Sequence, residues 1–81
     1  MEVKVISPSK KVFEGTVDAL TVPTTTGIVQ IMQDHTPLIS EISPGDLLIH
    51  KASGDNEKYF ISGGYLHVDE NKVVVLADNV E

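Results

Sequence analysis

Large apolar residues in this chain return mostly at every second position, not at the three- and four-residue spacing of a helix face. Side chains alternate faces along a strand, so a period of two marks strands with one side turned to a core. Val3 and Val5 open the pattern, "KYFIS", "YLHV" and "VVVLA" close it, and clusters of Gly, Pro, Asn, Asp or Ser interrupt it at roughly eight- to twelve-residue intervals. Short strands at that spacing predict an all-β fold, a flattened sandwich of about ten short, mostly antiparallel strands without a helix. Residues 1–81 suffice for one small core, so a single β-sandwich domain is expected. At this size the core leaves a surplus of only about 3–5 kcal/mol, and such domains often work docked to something larger.

The turn formers assign the boundaries. Ser7-Pro8-Ser9 ends the first strand, Lys11 to Glu14 form a second, Gly15 allows a reversal, and Thr16 to Val22 form a third that Pro23 is expected to stop. Thr24 to Gly27 read as a loop before a strand from Ile28 to Met32. Pro37 favours an extended Thr36, and the strand that follows enters a type II turn at Pro44-Gly45, with Leu47 to Lys51 leaving it. Leu38 and Ile39 are adjacent and large, so one enters the core and the other requires a partner. Ser53 to Glu57 form a polar hairpin tip, and Gly63-Gly64 let a ribbon bend from one sheet to the other. After the Asp69-Glu70-Asn71 tip, Val73, Val74 and Val75 predict a closing strand buried on both faces.

Charge removes several functions from consideration. Twelve acidic residues face six lysines, there is no arginine, and the net charge is −6. Nucleic acid and anionic lipid both select clustered cations, so neither is an expected partner. No cysteine is present, which leaves no disulfide framework and no thiolate metal site. The start, "MEVKVISPSKK", lacks a signal-peptide apolar core, and no apolar run approaches the ~20 residues of a spanning helix. Any membrane association is therefore expected to be indirect, through other proteins.

Side chains capable of chemistry are present but not arranged for it. His35 lies beside Asp34 before a proline, where a backbone hydrogen bond or an interface contact is the commoner role, and His50 and His67 sit on strands far from it in sequence. No histidine pair has metal-ligand spacing. "PTTTGIV" has neither the lysine nor the glycine spacing of a phosphate-cradling loop, and no Gly-x-Ser-x-Gly elbow marks a serine as nucleophile. No catalytic residue, metal site, cofactor or bound nucleotide is expected. Asp55, Glu57, Asp69 and Glu70 cluster at two hairpin tips as solvated turn residues that discourage edge pairing.

Three stretches in order, "VISPSKKVFEGTVDAL", "HTPLI" followed by "ISPG", and "SGGYLHV" with "VVVLAD", carry a family likeness over nearly the whole chain. The sequence resembles the amino-terminal β-sandwich domain of the epsilon subunit of the rotary ATP synthase. The resemblance implies a non-catalytic central-stalk component of a proton-translocating enzyme, fastening the c-subunit ring to the gamma shaft. It implies a peripheral location on the cytoplasmic face of the bacterial inner membrane, or on an equivalent organellar membrane. Position by position, it places Ser7, His35 and Ser40 toward the gamma shaft and Gly27 in the loop that meets the c ring; the adjacent apolar pair Leu38 and Ile39 joins the expected gamma contacts, and Ile28, Val29 and Gln30 after Gly27 join the expected ring contacts. Ile28 stands where relatives often carry an acidic residue, and Gln30, Gln33 and Asp34 replace a glycine and a proline-glycine pair. Many relatives continue past the position of Glu81 into a two-helix hairpin, so the braking and ATP sensing associated with that hairpin are not expected of these residues.

Two other classes compete. A lipoyl- or biotin-type carrier domain is also acidic, all-β and of this length, with one modified lysine at a hairpin; Lys72 after the "DEN" turn is the candidate and Lys51 a second. Lys72 stands near the end instead of mid-chain, with no quasi-repeat around it, which weighs against that reading. A small metal-dependent barrel enzyme fails on ligand spacing.

Overall fold

Each alternating run becomes a strand in the computed structural model, which describes all residues from Met1 to Glu81. The strands are β1 (Glu2–Ile6), β2 (Lys11–Thr16), β3 (Ala19–Thr24), β4 (Gly27–Met32), β5 (Leu38–Ile42), β6 (Gly45–His50), β7 (Glu57–Ile61), β8 (Gly64–Asp69) and β9 (Lys72–Ala77). They form one nine-stranded sheet in the order β2-β1-β9-β8-β5-β3-β6-β7, with β4 paired to β3. Every pairing is antiparallel except that of β1 with β9.

The sheet curls into two layers, β2-β1-β9-β8-β5 and β4-β3-β6-β7. They join where Thr24 pairs with Ile42, and again where the segment after β9 returns to β7 through the Ile61–Val80 bridge and reciprocal Phe60–Glu81 backbone bonds. The result is a flattened body of 25 × 24 × 19 Å, the expected sandwich with nine strands and a terminal bridge.

Inward positions from both layers meet in one cluster of 16 buried residues. Val3, Val5, Leu66, Val68, Val73 and Val75 come from the first layer, and Leu20, Val22, Ile31, Leu47, Ile49 and Ile61 from the second. Full burial of one such side chain stabilises by about 1.5–3 kcal/mol, so these positions hold the layers together.

Four local expectations are corrected. Gly15 does not reverse the chain: it lies inside β2, paired with Val3 of β1, and the reversal comes at Val17 and Asp18. Pro23 does not stop its strand: it lies inside β3, buried and paired with Ile28 of β4. On its other side β3 pairs with β6 through Thr21 and with β5 from Thr24, and the Pro23 carbonyl accepts from Ser43 in the crossing between them. The missing N–H falls in that gap, where no ladder partner exists, so proline is tolerated.

Pro44-Gly45 is not a type II hairpin turn. Gly45 begins β6 with no positive φ, and β5 and β6 pair with different neighbours. Glycine fits closely there, since a Cβ would lie 3.1 Å from the Pro23 ring, which would have to give by a few tenths of an ångström.

The valine triplet is not buried on both faces either. Val73 and Val75 are buried, whereas Val74 is half-exposed and Leu76 exposed, so β9 alternates. Central position in a layer saturates a strand's hydrogen bonds without covering its outer face.

The Gly63-Gly64 bend is present. Both have φ near 140° (141° and 140°), and a Cβ on Gly64 would lie 2.0 Å from the Leu76 carbonyl oxygen. Only glycine permits that approach, which lets β7 and β8 lie in different layers. The adjacent tip is a two-residue reversal between Asp69 and Lys72, with Glu70 and Asn71 both at positive φ (47° and 61°), the type I′ geometry that matches strand twist.

Candidate docking surfaces

Strand register brings outward side chains of the first layer into rows. Glu41, Tyr65, Leu76 and Ile6 lie side by side across β5, β8, β9 and β1, and Ile39, His67, Val74 and Lys4 form the next row. Ile39 is 76% exposed, Tyr65 57% and Leu76 49%, with Ile6 and Val74 half-buried beside them. Such adjacency on one face differs from the scattered apolar exposure of an ordinary surface. A shallow hollow of about 260 Å³ extends the patch past the end of β1, with walls from Ile6, Pro8, Tyr65 and Leu76 and polar groups of Ser7 and Asp78.

Residues expected to face the gamma shaft are distributed along this layer, not gathered in a pocket. Leu38 turns inward and packs against the core while its neighbour Ile39 projects outward, as the adjacent pair requires. Ser40 is half-buried on the inward side of β5. Ser7 is buried in the turn after β1, its Oγ donating to the Lys10 carbonyl at 3.2 Å, so it is a turn residue and not a poised nucleophile. His35 lies near the opposite end of the layer. Its backbone N–H bonds to Met32 and its ring Nδ1 donates to the Thr36 carbonyl at 2.6 Å. Asp34, at a φ of 64°, pins this loop to the β8–β9 turn through paired bonds with the Asn71 side chain, 2.6 and 3.2 Å long.

Gly27, Ile28, Val29 and Gln30 occupy the second layer, on strand β4, which pairs only with β3. Gly27 has a φ of 129° at the hairpin end, where the Thr24 hydroxyl donates to its carbonyl. Ile28 is 78% exposed and Gln30 is exposed, whereas Val29 packs on the core. No charged residue occurs on β4.

Charge pairing fixes the remaining periphery. Glu14 on β2 accepts from Lys11 at 2.7 Å and lies 3.6 Å from Lys4, and these two cations hold its carboxyl below the usual carboxylate range. Lys51 pairs with Glu57, and the Tyr59 hydroxyl donates to the same carboxylate at 2.6 Å. Those two donors lower Glu57, while the carboxylate, with partial burial, pushes the Tyr59 hydroxyl up to about 12. Lys51 also stands 5.5 Å over the Phe13 ring, joining β2 to the opposite layer.

None of these groups assembles for catalysis. No three His, Asp or Glu side chains converge as metal ligands. A hollow of about 380 Å³ over β2, β1 and β9 is lined by charges of both signs, Glu2, Lys4, Glu14 and Lys72, a set that selects neither a cation nor a phosphate. Lys72 stands at the base of its turn, opposite Asp69, while Glu70 and Asn71 occupy the tip where a carrier would present its modified lysine.

Sequence reading missed Ile6, Tyr65, Val74 and Leu76 as surface-forming residues. Their signal was available in part, since an outward position of an alternating strand is ordinarily polar and these are not. Their adjacency is set by non-local register.

Comparison with known proteins gives one family. The model for "ATP synthase, Delta/Epsilon chain, beta-sandwich domain" matches residues 1–81. The ATP synthase epsilon chain of Nitrosococcus oceani is 38% identical over 81 residues, covering 100% of this chain and 58% of the relative. That of Bordetella petrii is 41% identical over 78 residues, covering 96% and 55%. The sodium ion specific ATP synthase epsilon chain of Propionigenium modestum is 35% identical over 77 residues, covering 95% and 56%. The chain thus spans a little over half the length of these relatives. Among solved structures, a chain of the Euglena gracilis mitochondrial ATP synthase OSCP/F1/c-ring complex superposes with a TM-score of 0.92 at 22% identity, covering 98% of this chain and 51% of that one. A chain of the Tetrahymena thermophila mitochondrial ATP synthase central stalk and c ring gives 0.83 at 20% identity, covering 100% and 65%.

Proposed function

The chain belongs to the ATP synthase delta/epsilon chain β-sandwich family, and from that premise we propose that it is a non-catalytic rotor component that fastens the c ring to the gamma shaft. The observation that carries this reading is the contiguous apolar outer face of the first layer, with Ile39, Tyr65, Val74, Leu76 and Ile6 in adjoining rows. A partner that covers it gains from desolvating this patch, and its exposed aromatic and branched residues are suited to anchor the contact. Residues 1–81 act as one rigid domain in this role.

Of the residues expected toward gamma, Ile39 lies on this outer face, Ser7 and His35 lie near its two ends, and Leu38 and Ser40 turn inward beneath it. Ring contacts fall on β4 of the second layer, at Gly27, Ile28, Val29 and Gln30. Both layers belong to one hydrogen-bonded sheet, joined at the β3–β5 corner and at the β7 bridge, so a force applied to one layer reaches the other through backbone ladders. Such a body transmits torque without chemistry of its own. Likeness to an epsilon chain named sodium ion specific suits a domain that carries force and leaves the coupling ion to other subunits. Membrane association is through the ring, on the cytoplasmic face of the bacterial inner membrane or on an equivalent organellar membrane.

Copurification with the gamma subunit of the same organism tests the reading. The chain is expected to comigrate with gamma, and Ile39→Asp combined with Leu76→Asp to abolish comigration while the variant keeps its fold. Failure of the unaltered chain to bind gamma overturns the proposal.

A further inference from the structure

Two turns far apart in sequence are tied together by side chains. Met32 to His35 form the turn that ends β4, closed by the His35 N–H on the Met32 carbonyl at 3.1 Å, with Asp34 at a φ of 64°. Glu70 and Asn71 form the β8–β9 turn, where Asn71 has a φ of 61°. No backbone hydrogen bond joins the two turns. Instead the Asp34 N–H donates to Asn71 Oδ1 at 2.6 Å, and Asn71 Nδ2 donates to Asp34 Oδ1 at 3.2 Å. We propose that Asp34 and Asn71 act as a clasp, which makes Asn71 the positioning residue for the β4–β5 loop and for His35 within it. The clasp is a property of the free chain; its consequence, a fixed spacing between the strand read as ring-facing and the layer read as gamma-facing, rests on the docking role proposed above.

Local propensity alone does not explain the pair. A turn with positive φ at its third residue ordinarily carries glycine or asparagine there, and the second central residue of a type I′ turn is ordinarily glycine. Glycine would suit both positions better within their own turns. At either one it would remove the side-chain half of the reciprocal bonds, so what each residue forgoes locally is offset by its contact with the other. Strand β4 pairs only with β3. Its Met32 end therefore has no ladder on its outer side, and the clasp tethers the loop that leaves it to the first layer. The neighbouring bond from the Met1 nitrogen to Gln33 Oε1, 3.1 Å long, involves neither residue and is kept in every variant below.

The test is amide hydrogen exchange of the free chain, with protection factors read by NMR at Glu2, Asp34 and His35. Asn71→Gly is expected to lower protection at Asp34 and His35 by at least about fivefold, as the loss of side-chain hydrogen bonds of ordinary strength requires. Glu2, whose N–H donates to the backbone carbonyl of Asn71 at 2.9 Å, should change by less than about twofold, because that carbonyl remains. Asn71→Asp sets one carboxylate against another and should loosen His35 as well. Combined with Asp34→Asn, it returns a donor and an acceptor in reversed order, and protection should recover to within about twofold of the unaltered chain. Unchanged protection at Asp34 and His35 in Asn71→Gly overturns the clasp, as does an exchanged pair that fails to restore it. Loss of protection at Glu2 together with the loop means that the turn itself gives way, and also overturns it. None of these readouts involves gamma, so failure of the chain to bind gamma overturns the docking reading and leaves the clasp standing.

Discussion

The two faces of β8 are built from the same alternation and do opposite work. Leu66 and Val68 turn inward and are fully buried, while Tyr65 and His67 turn outward into a surface that continues over β5, β9 and β1. The inner face answers to packing, because every atom removed there leaves a void the layers cannot close. The outer face carries apolar residues that gain only modest cross-strand contacts within the chain. The contrast teaches that an alternating strand can be apolar on both faces while the chain itself covers only one of them.

The largest expected effect tests the bend on which both faces depend. Gly64→Ala places a Cβ 2.0 Å from the Leu76 carbonyl oxygen at a φ of 140°. With a small domain's surplus of about 3–5 kcal/mol, it is expected to lose cooperative thermal unfolding altogether. A normal melting transition in that variant would break the description of the corner.

Leu66→Ala comes next, at about 2–5 kcal/mol of stability, read from urea denaturation. Any gamma binding it retains should be that of its folded fraction. The outward counterpart, Ile39→Asp with Leu76→Asp, is expected to shift stability by less than about 1 kcal/mol and to weaken gamma binding by at least about a hundredfold. A double variant that unfolds would erase the distinction between the faces.

The smallest effect concerns the periphery. Tyr59 titrates higher in the folded chain, near 12, than the ordinary value of 10.0. Its contribution is therefore complete below pH 10 and lost as pH rises toward about 12, since the unfolded chain gives up the proton first. Tyr59→Phe should remove that part of the alkaline decline while leaving docking unchanged. Glu57, held low by Lys51 and Tyr59, works in the other direction, with stability present above the ordinary carboxylate range and lost as pH falls through its lowered value. Lys51→Met should diminish that acid-side loss and change stability at neutral pH by at most about 1 kcal/mol, as expected of a partly exposed pair.

Features fixed by neighbouring residues were legible in the sequence. Alternation assigned the fold class, the adjacent Leu38 and Ile39 had to divide between core and surface, and Gly63-Gly64 announced a bend. Features fixed by distant residues were not. Whether Pro23 breaks a strand depends on which neighbour its missing N–H faces, and that neighbour changes from β6 to β5 at this residue. Pro44-Gly45 has the composition of a tight reversal, yet its flanking strands pair elsewhere. Val74 was expected inside because a valine run suits a doubly covered strand, but no element of the chain lies over that face. The patch of Ile6, Tyr65, Val74 and Leu76 required register across three strands, which spacing along one strand does not contain.

Hydroxyl-radical footprinting of the assembled enzyme tests most directly whether a partner covers the outer face of the first layer. Tyr65, His67 and Leu76 should be protected from oxidation in the assembly relative to the free chain, while Phe60, outward on the second layer and away from β4, should change little. Equal oxidation of Tyr65 and Leu76 in the free and assembled states, or protection confined to Phe60, would contradict it.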